Sequence, residues 1–231
     1  VVHSGAGAET GASGAIWSHS WSIAGGGGTA LTLDGVTVNA YTIEPEYVYT
    51  AGDGTFGVFA HEYGHALGLP DLYDTTYGSQ GIGDWSLMSG GSWTGFTPAG
   101  GDSPANLDAW SKIQLGWITP ITPTTDQLSK TILPSETNAM AYKLWTNGVT
   151  TGKQYFLVEN RQLTGFDAAL PGAGLIIYHV DDNKAGSNTQ HCSQQNNWLC
   201  GATHAHVAVE QADGLYQLEN NVNRGNAGDP F

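Results

Sequence analysis

The sequence predicts an α/β (α+β) fold: a twisted sheet with one site-bearing helix, followed by a β-rich C-terminal part. Three observations predict it. Short alternating runs rich in β-branched residues fill positions 1–54, a helical periodicity occupies 55–68, and the pattern from 118 onward is again mostly β. A chain of 231 residues, 40% of them apolar, is long and hydrophobic enough to bury a sizeable core.

The elements follow in order. Val1-Val2-His3 reads as a strand already under way, and Gly228-Asp229-Pro230-Phe231 carries no terminal element, so a piece of a longer, processed protein is expected. Positions 29–33 and 36–43 alternate around Asp34-Gly35, a hairpin signal. Gly25 to Gly28 form a loop. Phe56, Phe59, Ala60, Tyr63, Ala66 and Leu67 recur at helical spacing. Thr55 is the expected N-cap, Gly68 a left-handed stop, and Pro70 forbids continuation. Positions 71–103 are rich in Gly, Ser, Asp and aromatic residues and predict ordered loops around a site. Ser103-Pro104 is expected to open a second helix, with Leu107, Trp110, Ile113 or Gln114, and Trp117 on its apolar face and Gly116 at its end. Strands are expected at 131–133, 139–145, 154–159, 175–180 and 207–210. A long polar loop at 181–204 carries Cys192 and Cys200, whose setting predicts a disulfide.

Only 7 Lys and Arg stand against 21 Asp and Glu, a formal charge of −14. The acidity comes from scarce cations rather than acidic blocks. Such a surface repels nucleic acid and anionic membranes, so neither is an expected partner. No stretch is apolar enough to insert in a bilayer. The composition suits an extracellular protein that stays soluble, with Ca²⁺ a candidate structural ion; a monomer is expected. Asp181-Asp182-Asn183, Asp213, Glu219 and residues 220–223 are oxygen-rich enough to be considered for it.

The chemistry concentrates in His61-Glu62-Tyr63-Gly64-His65, extended through Gly68 to Asp71. Histidines four apart on a helix share a face and can bind one Zn²⁺. H-E-x-x-H arises by chance on the order of once in a hundred such chains, and adding Gly68 and Asp71 lowers this to about one in ten thousand. Catalytic zinc uses three protein ligands, so a third is needed beside His61 and His65. Asp71 is the first candidate because the helix stop turns the chain back, with Asp74 second. Glu62 is placed to act as general base toward water and as general acid toward the leaving amine. Tyr73, Tyr77, Trp85 and Trp93 follow the motif and are expected near the cleft. His3, His19, His179, His191, His204 and His206 have no spacing that demands a metal.

With Trp85-Ser86-Leu87-Met88-Ser89 downstream, the extended motif resembles the metzincin clan of zinc peptidases. Met88 then falls in the Met-turn, an apolar floor under the metal. Within the clan the chain is most similar to the M6, immune inhibitor A-like, peptidases. The likeness runs through residues 1–5, 16–19, 57–74, 82–93, 107–117, 155–180 and 209–214, and is weakest at 181–204. It implies a metzincin-like zincin fold, with a catalytic core at 1–117 and a β-rich part of the same unit at 118–231. It further implies a secreted bacterial endopeptidase made with a propeptide and further C-terminal domains. Proteins or peptides are its implied substrates. Many metzincins carry a third His where this chain has Asp71, so its site is the more anionic. The alternative from another class is a non-catalytic adhesin or carbohydrate-binding module on a peptidase scaffold. The intact Glu62 argues against that alternative.

Overall fold

The computed structural model describes residues 1–146, 148–149, 151–184 and 205–231. Strands β1 (Val2–Ala6) and β2 (His19–Ser22) come first. The hairpin of β3 (Leu31–Leu33) and β4 (Val36–Val38) forms as expected. Asp34 and Gly35 both adopt positive φ, 50° and 80°, the backbone of a tight hairpin turn. The run expected to continue to residue 43 instead breaks at Asn39. The carbonyl of Asn39 accepts from Ile23 N–H at 2.7 Å and its side chain from Ala24 N–H at 3.0 Å. The chain thereby leaves the hairpin and starts β5 (Ala40–Tyr47). β5 lies between β1, to which it is parallel, and β2, to which it is antiparallel.

Helix α1 (Gly57–Ala66) packs against this sheet. Thr55 does not cap it. Its hydroxyl donates to the Gly100 carbonyl at 2.6 Å, while Gly57 N–H donates to Gly101 O at 3.0 Å. The orphan donor at the helix start is thus met by a distant loop rather than by a side chain. The C-terminus ends as expected. Gly68 has φ 99°, its N–H donates to His65 O at 2.9 Å, and Leu69 N–H donates to Gly64 O at 3.1 Å. This pair of bonds is a Schellman cap.

The second helix is shorter than expected. α2 (Ala109–Gln114) starts after Asp108, whose carboxylate accepts from Ser111 N–H at 2.9 Å. Ser103 is no cap; its hydroxyl donates to Phe166 O. Residues 104–108 therefore lie outside the helix, because Asp108 offers the stronger cap and is also tied to Ser86 Oγ at 2.6 Å. Gly116, at φ 69°, lies just past the end.

Strands β6 (Tyr142–Leu144), β7 (Gln154–Arg161), β8 (Gly174–Asp181) and β9 (Val207–Val209) form an antiparallel sheet in that order. No strand forms at 131–133; the neighbouring Pro134 makes only an isolated bridge to Asn160. The run at 139–145 contributes three residues to a strand. Cys192 and Cys200, and with them the expected disulfide, lie outside the described residues. One buried cluster joins Leu72, Ile82, Trp85 and Met88 to Leu157, Ile176, Tyr178 and Val207. The C-terminal sheet therefore shares a core with the loops that follow α1. Among the described residues no helix is long and apolar enough to cross a membrane.

Candidate metal centre

His61 and His65 stand one turn apart on α1, ring centroids 4.8 Å apart and nearly perpendicular. Each ring is fixed through Nδ1, which donates to a backbone carbonyl: Leu87 O for His61 and Leu69 O for His65, both at 2.8 Å. A proton held on Nδ1 leaves the Nε2 lone pair free for a metal. Leu69 is available because the Schellman cap folds the chain back over the last turn.

Asp71 completes a three-donor group. Its Oδ1 lies 3.2 Å from His61 Nε2 and 3.1 Å from His65 Nε2. Tetrahedral bonds of ~2.0 Å to one ion place its donors ~3.3 Å apart, so the spacing fits zinc. Among the described residues, no other group of three His, Cys, Asp or Glu side chains brings its ligand atoms this close. Burial opposes the Asp71 charge, but the two imidazoles beside it outweigh that and hold the carboxyl well below the usual carboxylate range. Burial likewise opposes a charged His65, yet Asp71 holds that imidazole above its usual pKa.

Asp74 is placed elsewhere. It is fully buried and accepts from Thr76 N–H and hydroxyl, Gly78 N–H and Ser79 N–H at 2.7–3.0 Å. It staples the loop that follows the donor group. Asp53 and Asp102 do the same for other loops, accepting from the N–H groups of residues 48–50 and 96–97. The candidates for calcium have comparable turn roles: Asp181 accepts from Asn183, Asp213 from Leu215 N–H and Glu219 from Gln211.

Glu62 is buried beside the donors, and its Oε2 has no hydrogen-bond partner among the described residues. Loss of solvent pushes its pKa up; the two histidines pull it down, and Asp71 and Glu44 reinforce the rise. Met88 is fully buried directly beneath α1. A Cβ placed on Gly64 would collide with Met88 Sδ, so glycine lets the helix settle onto the sulfur. Tyr73 lies alongside His61, ring centroids 6.2 Å apart, and burial with the nearby Asp71 charge pushes its phenol pKa up.

His61, Glu62 and Tyr73 line a cavity of about 360 Å³ that also receives Tyr77 and Trp93. Trp85 does not reach it. That indole is fully buried in the core and donates to Asp229 Oδ2 at 3.1 Å, since a ring so large fills the space below the 86–89 turn. The remaining described histidines lie elsewhere: His3 Nδ1 donates to Ser4 O at 3.0 Å, and His19 packs on Tyr41, His179 on Phe156 and His206 on Trp110. His191 and His204 lie outside the described residues.

Residues 1–118 match the family model of the immune inhibitor A peptidase M6 catalytic domain. The chain belongs to this family. It is 40% identical over 129 residues to immune inhibitor A of Bacillus thuringiensis subsp. alesti, and 38% identical over 130 residues to the pre-pro-metalloprotease PrtV of Vibrio cholerae serotype O1. Each alignment covers 48% of this chain, but only 17% and 13% of the respective relative. The metal expected of a metallopeptidase has its three candidate donors inside the matched region.

Several residues around the candidate site lie beyond the matched region. Asn221 and Arg224 form part of the cavity wall. Below the floor, Arg161 is fully buried on β7. It grips both Asp167 oxygens at 2.7 and 2.9 Å, Glu159 at 3.1 Å and the Trp85 carbonyl at 2.9 Å. Sequence reasoning missed all of these. The available signal was scarcity: the chain has only two arginines, and both serve the region of the site.

Proposed function

We propose that this chain is the catalytic part of a secreted zinc-dependent endopeptidase. The observation that carries the reading is the convergence of His61 Nε2, His65 Nε2 and Asp71 Oδ1 beside a buried Glu62 whose Oε2 has no hydrogen-bond partner among the described residues. His61, His65 and Asp71 are the zinc ligands in this reading. Zinc held there supplies Lewis acidity toward the scissile carbonyl and brings the pKa of water to about 7.

The protein groups do the rest. Leu87 O and Leu69 O fix the tautomers of the two imidazoles. Glu62 Oε2 takes the proton of the attacking water and passes it to the leaving nitrogen. The same carboxyl serves both halves of that transfer, as base toward water and then as acid toward the leaving nitrogen. Tyr73 lines the same cavity with its hydroxyl kept protonated and bonded to Asp71, and it would donate to the developing oxyanion by exchanging that partner.

We assign the chain a metzincin-like zincin fold, with the catalytic core at 1–117 and the β-rich part at 118–231 completing one peptidase unit. The shared buried cluster supports a single unit. The small share of each relative that aligns supports a precursor with a propeptide and further domains, and one of those relatives is called a pre-pro-metalloprotease. Polypeptides are the proposed substrates and a monomer the proposed state.

The test uses the purified chain, with zinc measured by elemental analysis and cleavage of an unstructured protein followed with and without chelator. Glu62→Gln is expected to retain zinc and lose about 10²- to 10⁴-fold in turnover. Wild-type turnover in that variant would reject Glu62 as the proton carrier.

A further inference from the structure

A second cavity, of about 500 Å³, adjoins the metal cavity. Glu9, Trp17, Trp93 and Arg224 line both, so they mark the passage from one to the other. Arg224 is the only Lys or Arg among the residues lining the metal cavity. In a chain with a formal charge of −14, one cation at that point is a pronounced local feature.

The arginine is held from two sides. Its backbone carbonyl accepts from Asp84 N–H at 2.6 Å. Its Nε lies 3.0 Å from Asp84 Oδ1, and its Nη2 donates to Asp84 Oδ2 at 3.4 Å. This side-on pair engages one edge of the guanidinium. Nη1 makes no hydrogen bond among the described residues, and the side chain is 44% exposed. Glu9, the acidic residue at the same passage, is engaged through one oxygen. Its Oε1 accepts from Ser18 N–H at 2.6 Å, and its buried Oε2 has no hydrogen-bond partner among the described residues.

We propose that Arg224 is a specificity residue that receives a carboxylate side chain of the substrate close to the scissile bond. The chain would then cut beside Glu or Asp in preference to the corresponding amides. Trp17 and Trp93 supply apolar walls for the methylene stem, and the free Nη1 edge supplies charge-assisted donors for the carboxylate. A lysine at the same place meets a like charge and is rejected. The inference rests on the peptidase reading above.

The test compares kcat/KM for matched peptides carrying Glu, Gln or Lys at each position flanking the cleavage site. Wild type is expected to favour Glu over Gln by about tenfold at low salt, less at high salt. In Arg224→Gln the ratio is expected to fall to near one, and in Arg224→Glu the Lys peptide is expected to overtake the Glu peptide. Arg224→Lys, which keeps the charge, is expected to keep a reduced preference. A wild-type ratio near one at every position, or an undiminished ratio in Arg224→Gln, overturns the proposal. If Arg224→Gln does not fold, the salt dependence of the wild-type ratio decides: a ratio unmoved by salt overturns it. The two readings fail differently. Equal cleavage of all three peptides, abolished by Glu62→Gln, removes only the role of Arg224. No cleavage of any peptide by the zinc-loaded chain removes the peptidase reading itself.

Discussion

The carbonyl oxygen of Leu87 accepts a 2.8 Å hydrogen bond from Nδ1 of His61. The residue immediately before the buried Met88 thus orients the first histidine of the helix. The floor of the site and one of its donors are parts of a single hydrogen-bonded assembly. Leu87 is in turn held through its own N–H, which donates to Asn106 O at 3.2 Å.

Asp71→Ala is expected to weaken zinc binding by several orders of magnitude, because two histidines alone leave the ion with two protein ligands. Asp74→Ala is expected to lower thermal stability by loosening its loop while leaving zinc affinity within about tenfold. Competitive titration with a chromogenic chelator measures both. A reversed ranking would move the third ligand from Asp71 to Asp74.

Gly64→Ala is expected to cost about 1–3 kcal/mol despite the better helix propensity of alanine. The added methyl has no space against Met88 Sδ. Pairing it with Met88→Ala is expected to recover part of the loss, which a double-mutant cycle by urea unfolding resolves. Full additivity of the two changes would contradict the contact.

Arg161→Met is expected to destabilise the fold by about 3–5 kcal/mol, since it strands Glu159 and Asp167 in the core. It is also expected to weaken zinc binding by more than Asp74→Ala does. Arg161 holds the carbonyls of Trp85 and Asn106, at 2.9 and 3.5 Å, on either side of the contact that fixes Leu87. Chemical denaturation without metal and metal titration of the folded fraction separate the two effects.

Burial pushes the Glu219 pKa up to about 7, against which the bond from Gln211 is a smaller opposing effect. A carboxyl whose pKa is raised by folding binds more protons in the native state. Its contribution is therefore fully present below the unfolded value, near 4.5, and stability falls as pH rises from there to about 7. Glu219→Gln keeps an acceptor for Gln211 and is expected to flatten this slope, raising the melting temperature at pH 8 more than at pH 5. Equal shifts at the two pH values would show that Glu219 does not titrate in this window.

Much of the site was legible because its information is local. The i, i+4 spacing puts His61 and His65 on one face, and Gly68 terminates the helix through a backbone that glycine adopts freely. Asp71 follows within six residues of His65, a separation so short that the turn alone returns it to the donors. The strands at 154–161 and 174–181 were legible for the same reason, through alternation and β-branched content. Helix starts were not. Thr55 and Ser103 carry the right side chains for caps, but their hydroxyls are drawn to the carbonyls of Gly100 and Phe166. No local pattern encodes those partners.

The sequence by itself determined the make-up of the candidate centre: two imidazoles, a carboxylate and an adjacent glutamate, on a helix whose stop turns the chain back toward them. Only the tertiary structure decided that Asp74 staples a loop and that Trp85 belongs to the core. It alone brought Arg224 to the cavity wall and placed Arg161 beneath the floor. The physical reason is range. Helical periodicity and a glycine stop act over a few residues, whereas the partners of a buried charge are chosen by which segments the hydrophobic core brings together. Arg161 and Trp85 are 76 positions apart, and Arg224 and Asp84 are 140 apart.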